Sequence, residues 1–230
     1  GFPSQWLSIL RYVRSKLSGV GTKLVYDINF TDDSNTDSSG ILKSGGELER
    51  WRYRLVDLAN PSNENEYKVW QDLVQFWTEL DLIGIDMYRS LAGEEDKPLV
   101  GNTLEQIVEL LQKRTDVHAQ QLDTTFLEIA LTLGVDKKAI FKEIGFRSVE
   151  YAFINPFNYA TSQGTYNELH QAAGYVAIFE SFWTPGFEWF DGVVFWDIPI
   201  DPKASGTTDL GFSPVGKPTT SEQIRRYFAE

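Results

Sequence analysis

Four short apolar runs, recurring about every 55 residues with helical periodicity between them, constrain this chain more than any other feature of its sequence. They lie at about 23–29, 80–88, 138–145 and 191–198. Each is too short to stand as a helix and is rich in Val, Ile, Leu and Phe, as strands buried on both faces are. The intervening segments place apolar residues three and four apart. Trp6, Leu10, Val13 and Leu17 make one stripe after Pro3, and Val69, Leu73, Phe76, Trp77 and Leu80 make another. Further helices are expected at 47–58, separated from 64–79 by Asn60-Pro61, and at 103–113, 117–133, 166–182 and 220–228, with a polar loop over 31–46. Strand–helix alternation of this kind gives a parallel α/β architecture. No sequence repeat beyond it, low-complexity tract or linker divides residues 1–230.

In such architectures the C-terminal strand ends are where chemistry is built. The third run, Ala139-Ile-Phe-Lys-Glu-Ile-Gly-Phe-Arg-Ser148, delivers a carboxylate there. On strand alternation Phe141, Glu143 and Gly145 share one face and Ile140 and Ile144 the other. A glutamate on an inner strand face needs a partner or a task, so Glu143 is either a catalytic acid or a salt-bridged structural one. The first strand ends in Asp27 and Asn29, the second in Asp86 and Tyr88, and the fourth carries Trp196. An Asp at a strand end often only caps the following loop. Their convergence on one rim carries more weight than any one of them. Glutamate, tyrosine and tryptophan together suit glycoside chemistry: a nucleophile, a hydroxyl that orients it, and an indole on which a sugar ring stacks. The loop over 149–163, aromatic and rich in Asn, has the composition of a binding loop.

The charge balance narrows the partners. With 33 acidic against 21 basic residues the formal net charge is −12, which argues against nucleic acid and against anionic membrane surfaces, and leaves neutral ligands such as sugars open. There is no cysteine, which removes disulfides, thiol catalysis and Cys-ligated zinc. With only His118 and His170, a His-rich metal site is impossible, and neither histidine is given a role; no cofactor or metal is expected. Asp33-x-Asn35-x-Asp37 mimics the start of a calcium loop, but Ser38 stands where its glycine should be and Ser44 where its bidentate acid should be, so a solvated acidic loop is the better reading. No apolar run is long enough to span a membrane, and no signal peptide is evident. The chain opens on Gly-Phe-Pro without an initiator Met, as a segment of something longer would.

Phe76-Trp-x-x-Leu-Asp-Leu-Ile-Gly-Ile-Asp-Met-Tyr88, Phe141-Lys-Glu-Ile-Gly-Phe-Arg-Ser148, Gln171 before an aromatic helix, Gly192-Val-Val-Phe-Trp-Asp197 and Phe212-Ser-Pro-Val-Gly-Lys-Pro218 resemble, in order, the motifs of glycoside hydrolase family 113. That resemblance, running from about Trp6 to the end, implies a (β/α)8 TIM barrel of which residues 1–230 supply the last four β/α units, the C-terminal half. It implies a retaining hydrolase of β-linked polysaccharide such as mannan, with Glu143 as nucleophile. Tyr88 matches the tyrosine beside it, and Trp196 the sugar platform, followed by a cis peptide bond to Asp197. The acid/base would lie upstream of Gly1. Asn29 and Asp86 are taken as substrate-binding. Phe146, where the family usually has Tyr, and enlarged helical insertions depart from the pattern and bear on the subsites.

The partners then expected are a polysaccharide or oligosaccharide and another half-barrel, from the same polypeptide or a second chain, in a secreted or cell-surface setting. Two alternatives stay open: a non-catalytic carbohydrate-binding or structural barrel module of a larger extracellular protein, and an unrelated α/β protein in which Glu143 is structural.

Overall fold

Proline at the first helical turn forfeits only an N–H that has no intrahelical acceptor, and helix α1 (Pro3–Leu17) begins that way. The computed structural model describes residues 2–37, 40–160, 163–200 and 205–229. Strands β1 (Val25–Phe30), β4 (Leu82–Met87), β5 (Ala139–Ile144) and β6 (Phe190–Phe195) make one parallel sheet in the order β1-β4-β5-β6. All four expected runs are therefore strands, with ends that differ from the expected ones by one to three residues. Between them lie α2 (Gly46–Arg52), α3 (Glu64–Glu79), α4 (Leu104–Leu133) and α5 (Glu168–Ile178), and α6 (Pro218–Phe228) closes the described chain.

Three local expectations are corrected. The polar stretch after β1 is a hairpin, in which β2 (Ser34–Asp37) pairs antiparallel with β3 (Gly40–Ser44). That pairing is not the wrap of a calcium loop, and Ser38 itself lies outside the described residues. The two helices expected at 103–113 and 117–133 are the single helix α4. Thr115 and Asp116 interrupt its apolar pattern, but Thr115 Oγ1 donates to Leu111 O at 3.3 Å within the helix and the Ser181 hydroxyl donates to Asp116 Oδ1 at 2.7 Å, so these polar groups are satisfied without breaking the helix. On α1 the buried residues are Leu7 and Leu10, while Trp6 is exposed and meets Tyr26 edge-on at 5.6 Å.

The chain divides into two units. The first comprises Gly1–Asp86, Leu122–Phe141 and Glu188–Asp191. Here α1 packs on α3, and Arg11 and Arg14 of α1 pair with Glu79 and Asp81. Tyr26, Trp51 and Phe76 interlock with ring centroids 5.5–6.2 Å apart, and Trp51 also meets the fully buried Trp77 at 5.7 Å. Leu73, Phe76, Trp77 and Leu80 face this core as their spacing requires, but Val69 is exposed.

The second unit comprises Met87–Gln121, Lys142–Phe187 and Gly192–Glu230. Its centre is α5, every residue of which from His170 to Ile178 is buried and which packs on α6. Phe146, Tyr175, Phe195 and Phe228 continue this core through edge-on contacts of 5.3–6.1 Å. Phe146, the departure from the family pattern, is 1% exposed and lies against Gly174, so here the phenyl ring is a core residue.

Candidate active site

On β5 Phe141 is buried, and Glu143, two residues on and on the same face by alternation, is half-buried. The hydroxyl of Tyr88, one residue beyond the end of β4, donates to Glu143 Oε2 at 3.0 Å. Tyr88 is itself 8% exposed, so its phenol is held by packing as well as by this bond. A hydrogen bond to one carboxylate oxygen orients the group and leaves the other oxygen for chemistry.

Trp196 enters through the backbone. Its N–H donates to Ile144 O at 2.9 Å, which ties the residue after β6 to the residue after Glu143. The indole is 44% exposed, and the Trp196–Asp197 bond is cis, as the resemblance implied. Gly145 is required by this closeness. A Cβ there would overlap the Trp196 carbonyl oxygen and stand 3.0 Å from Phe212 Cδ1. Because the first obstacle is main chain, Gly145→Ala is expected to destabilise by about 1–3 kcal/mol or more and to cut turnover by displacing Glu143 or Trp196. A urea melt beside a rate measurement checks both.

The turn after Glu143 is fastened by groups to which the sequence reading gave no role. Gln171, fully buried, donates from Nε2 to Phe146 O at 2.7 Å and to Phe212 O at 3.0 Å, and its Oε1 accepts from Thr220 Oγ1 at 3.1 Å. Ser148 Oγ donates to Asp209 O at 2.6 Å, and Arg147 donates to Leu210 O at 3.2 Å and to Gln163 O. Burial pulls the Arg147 guanidinium below its ordinary value, against the opposing influence of Asp209. Lys217 is fully buried and uses all three ammonium protons, on Asp209 Oδ2 (2.9 Å), Gly211 O (3.2 Å) and Ser213 O (2.6 Å). Its pKa is lowered by desolvation, with Asp209 acting the other way. Glu168 accepts from Thr220 N at 3.1 Å and from Tyr166 OH at 3.2 Å, whose phenol burial and Glu168 push up to about 12. The signal for this network lay in the Phe212–Pro218 motif, whose lysine has no reason to be apolar-flanked unless it is buried.

Asn29 and Asp86 belong to the first unit: Asn29 is exposed on β1 and Asp86 half-buried on β4. Tyr88, Glu143 and Trp196 belong to the second.

His170 is a packed residue. Its ring lies 5.1 Å from that of Tyr151 and 5.3 Å from that of Phe153, and Nδ1 accepts from Tyr151 N at 2.8 Å. Tyr151 has φ +57°, a conformation a bulky side chain seldom adopts, at the head of the aromatic loop. Burial lowers the His170 pKa, with Glu150 opposing. The unfolded chain then binds the proton more readily, so stability is complete above about pH 6.5 and is lost as pH falls from there toward the folded value. Urea melts from pH 7.5 to 5 should show this loss, and His170→Asn, whose Oδ1 can accept the same bond without titrating, should flatten it.

Comparison with known proteins bears on this arrangement. The family model for Glycoside Hydrolase Family 113 matches residues 59–217, and the chain belongs to that family. The GH113 β-mannanase AaManA from Alicyclobacillus acidocaldarius, solved in complex with ManMIm, is similar over 97% of this chain and 50% of its own, at 18% identity and TM-score 0.56, which shows a shared fold of the TIM-barrel class. This chain thus spans half the length of that mannanase. A GH113 β-1,4-mannanase is 16% identical over 99% of this chain and 79% of its own (TM-score 0.45), and an endo-laminarinase from Formosa Hel1_33_131 is 14% identical over 92% and 49% (TM-score 0.49). No curated protein matches the chain.

Proposed function

We propose that this chain carries the nucleophile half of a retaining glycoside hydrolase acting on β-linked polysaccharide of the mannan type. The observation that carries the proposal is the Tyr88–Glu143 hydrogen bond at the ends of adjacent strands, in a chain belonging to a glycoside hydrolase family. In this reading Glu143 attacks the anomeric carbon as the glycosidic oxygen leaves with a proton from the acid/base, giving a glycosyl ester. Water, deprotonated by the same acid/base, then displaces Glu143, and two inversions retain configuration. Tyr88 holds the carboxylate in aim, the indole of Trp196 supports the sugar, and Asn29 and Asp86 contact substrate. Retaining geometry needs a second carboxyl about 5–5.5 Å from the first. We assign it to a residue preceding Gly1, on one of four further strands.

The four parallel strands are, on this proposal, the fifth to eighth of the barrel. In support, β1 and β6 end the sheet unpaired with other described strands, and Val194 and Ile198 are exposed at 41% and 57%. Open edges and apolar surface of this kind call for covering, by strands of the same polypeptide or of a partner. The setting is secreted or cell-surface, where such polysaccharides occur, and the chemistry calls on no cofactor. Incubation of the intact protein with β-1,4-mannan, followed by NMR of the first anomer released, tests the proposal. A β-product formed before mutarotation is expected. An α-product, or sugar binding without any cleavage, would overturn it, the latter in favour of a carbohydrate-binding module.

A further inference from the structure

A cavity of about 660 Å³ opens in the first unit, walled by the end of α2 and the residues after it, the Asn60-Pro61 break and the start of α3. Neither Glu143, Tyr88 nor Trp196 lines it. Its volume lies in the range of ligand sites rather than of packing defects. Two indoles shape it: Trp70 Nε1 donates to Leu55 O at 2.9 Å and Trp51 Nε1 to Glu47 Oε1 at 3.2 Å. With their polar edges committed, both rings are fixed as apolar walls. Val69, which the helical stripe assigns to the core, is 53% exposed and joins this wall instead. The rim is polar and mixed in sign: Arg54, Asp57 and Glu66 belong to it, as do the exposed amides Asn60 and Asn65.

The wall is also rigid. After α2 the chain winds as a π-type turn over Tyr53–Asp57, a local irregularity often found at functional sites. It is braced by the buried Arg52, which pairs with Glu49 (2.9 Å), Asp57 (2.6 Å) and Glu128 (3.0 Å). Fixed indole walls, amides at the rim and near-balanced charge fit a neutral ligand that has one apolar face and many hydroxyls. An anion would meet two carboxylates, and a purely apolar molecule would leave the amides unused. We infer that this cavity is a second carbohydrate site, holding a stretch of neutral β-linked polysaccharide against Trp70. The choice of mannan as ligand rests on the function proposed above.

The test uses the intact protein, insoluble β-1,4-mannan for adsorption and β-1,4-mannotetraose for hydrolysis. Trp70→Ala is expected to weaken adsorption about tenfold or more, with Trp70→Phe recovering much of it, while kcat/KM on the tetraose is unchanged. Because loss of the Trp70 ring could disturb α3, Asn60→Ala and Asn65→Ala, both at exposed positions, are measured beside it and should weaken adsorption severalfold with unaltered melts. Unchanged adsorption in folded variants, or a wild-type protein that does not adsorb to mannan, would overturn the inference. The two proposals fail separately. Hydrolysis with adsorption indifferent to Trp70 removes the second site alone, whereas Trp70-dependent adsorption without hydrolysis removes the enzyme reading alone.

Discussion

Glu143→Gln is expected to lower turnover of β-mannan by a factor of a thousand or more, while moving the urea midpoint by no more than about 1 kcal/mol in stability. The asymmetry follows from what Glu143 touches. Its bond from the Tyr88 hydroxyl, 3.0 Å long, can be taken over by the amide oxygen of glutamine, which has the same size and reach. Glu143 is half-buried and enters no ion pair among the described residues, so the loss of charge strands no cation. Chemistry has no such substitute, since an amide does not form the glycosyl ester. If Glu143 were a structural acid, the order would invert, with a large loss of stability and near-normal rates among folded molecules. A melt and a rate measured on the same preparations separate the two.

The largest effect on stability is expected at Lys217, about 3–5 kcal/mol for Lys217→Ala, a large fraction of what a typical domain has. Its ammonium is fully buried at the start of α6, where it ties together Asp209, Gly211 O and Ser213 O. Removing the side chain leaves a cavity, two carbonyls without this donor and a carboxylate without its cation. The same segment receives Ser148 Oγ through Asp209 O and Gln171 Nε2 through Phe212 O, so the turn following Glu143 loosens with it. Lys217→Met restores apolar volume but not the charge and should recover only part of the loss, as read from urea midpoints.

The strands were legible because they obey local rules. Short runs rich in Val, Ile and Phe favour buried strand by their length and β-branched content, and the polar residues that end each run break the pattern visibly. Glu143 and Tyr88 stood out because each stands at the C-terminal end of its run, Glu143 on the face it shares with Phe141 and Tyr88 on that of Asp86. What stayed hidden depends on partners distant in sequence. Nothing near Asp116 reveals that Ser181 will satisfy it, so α4 read as two helices. Val69 fits the stripe of α3 as well as Leu73 does, and only the wall built by the segment after α2 leaves it exposed. Gln171 and Lys217 were visible as members of motifs, but their work consists of bonds to backbone carbonyls 4 to 41 residues away, which no local pattern encodes.

The claim on which the account turns is that Glu143 forms a covalent bond to sugar, and trapping that bond tests it most directly. The intact protein would be incubated with an activated 2-deoxy-2-fluoro-β-mannoside, which slows the second displacement more than the first, then digested and mapped by mass spectrometry. The account predicts one fluoroglycosyl group per chain, carried by Glu143 in the tryptic peptide Glu143–Arg147 and absent from Glu143→Gln. A label on any other carboxylate, or turnover of mannan that proceeds in Glu143→Gln at the wild-type rate, would contradict it.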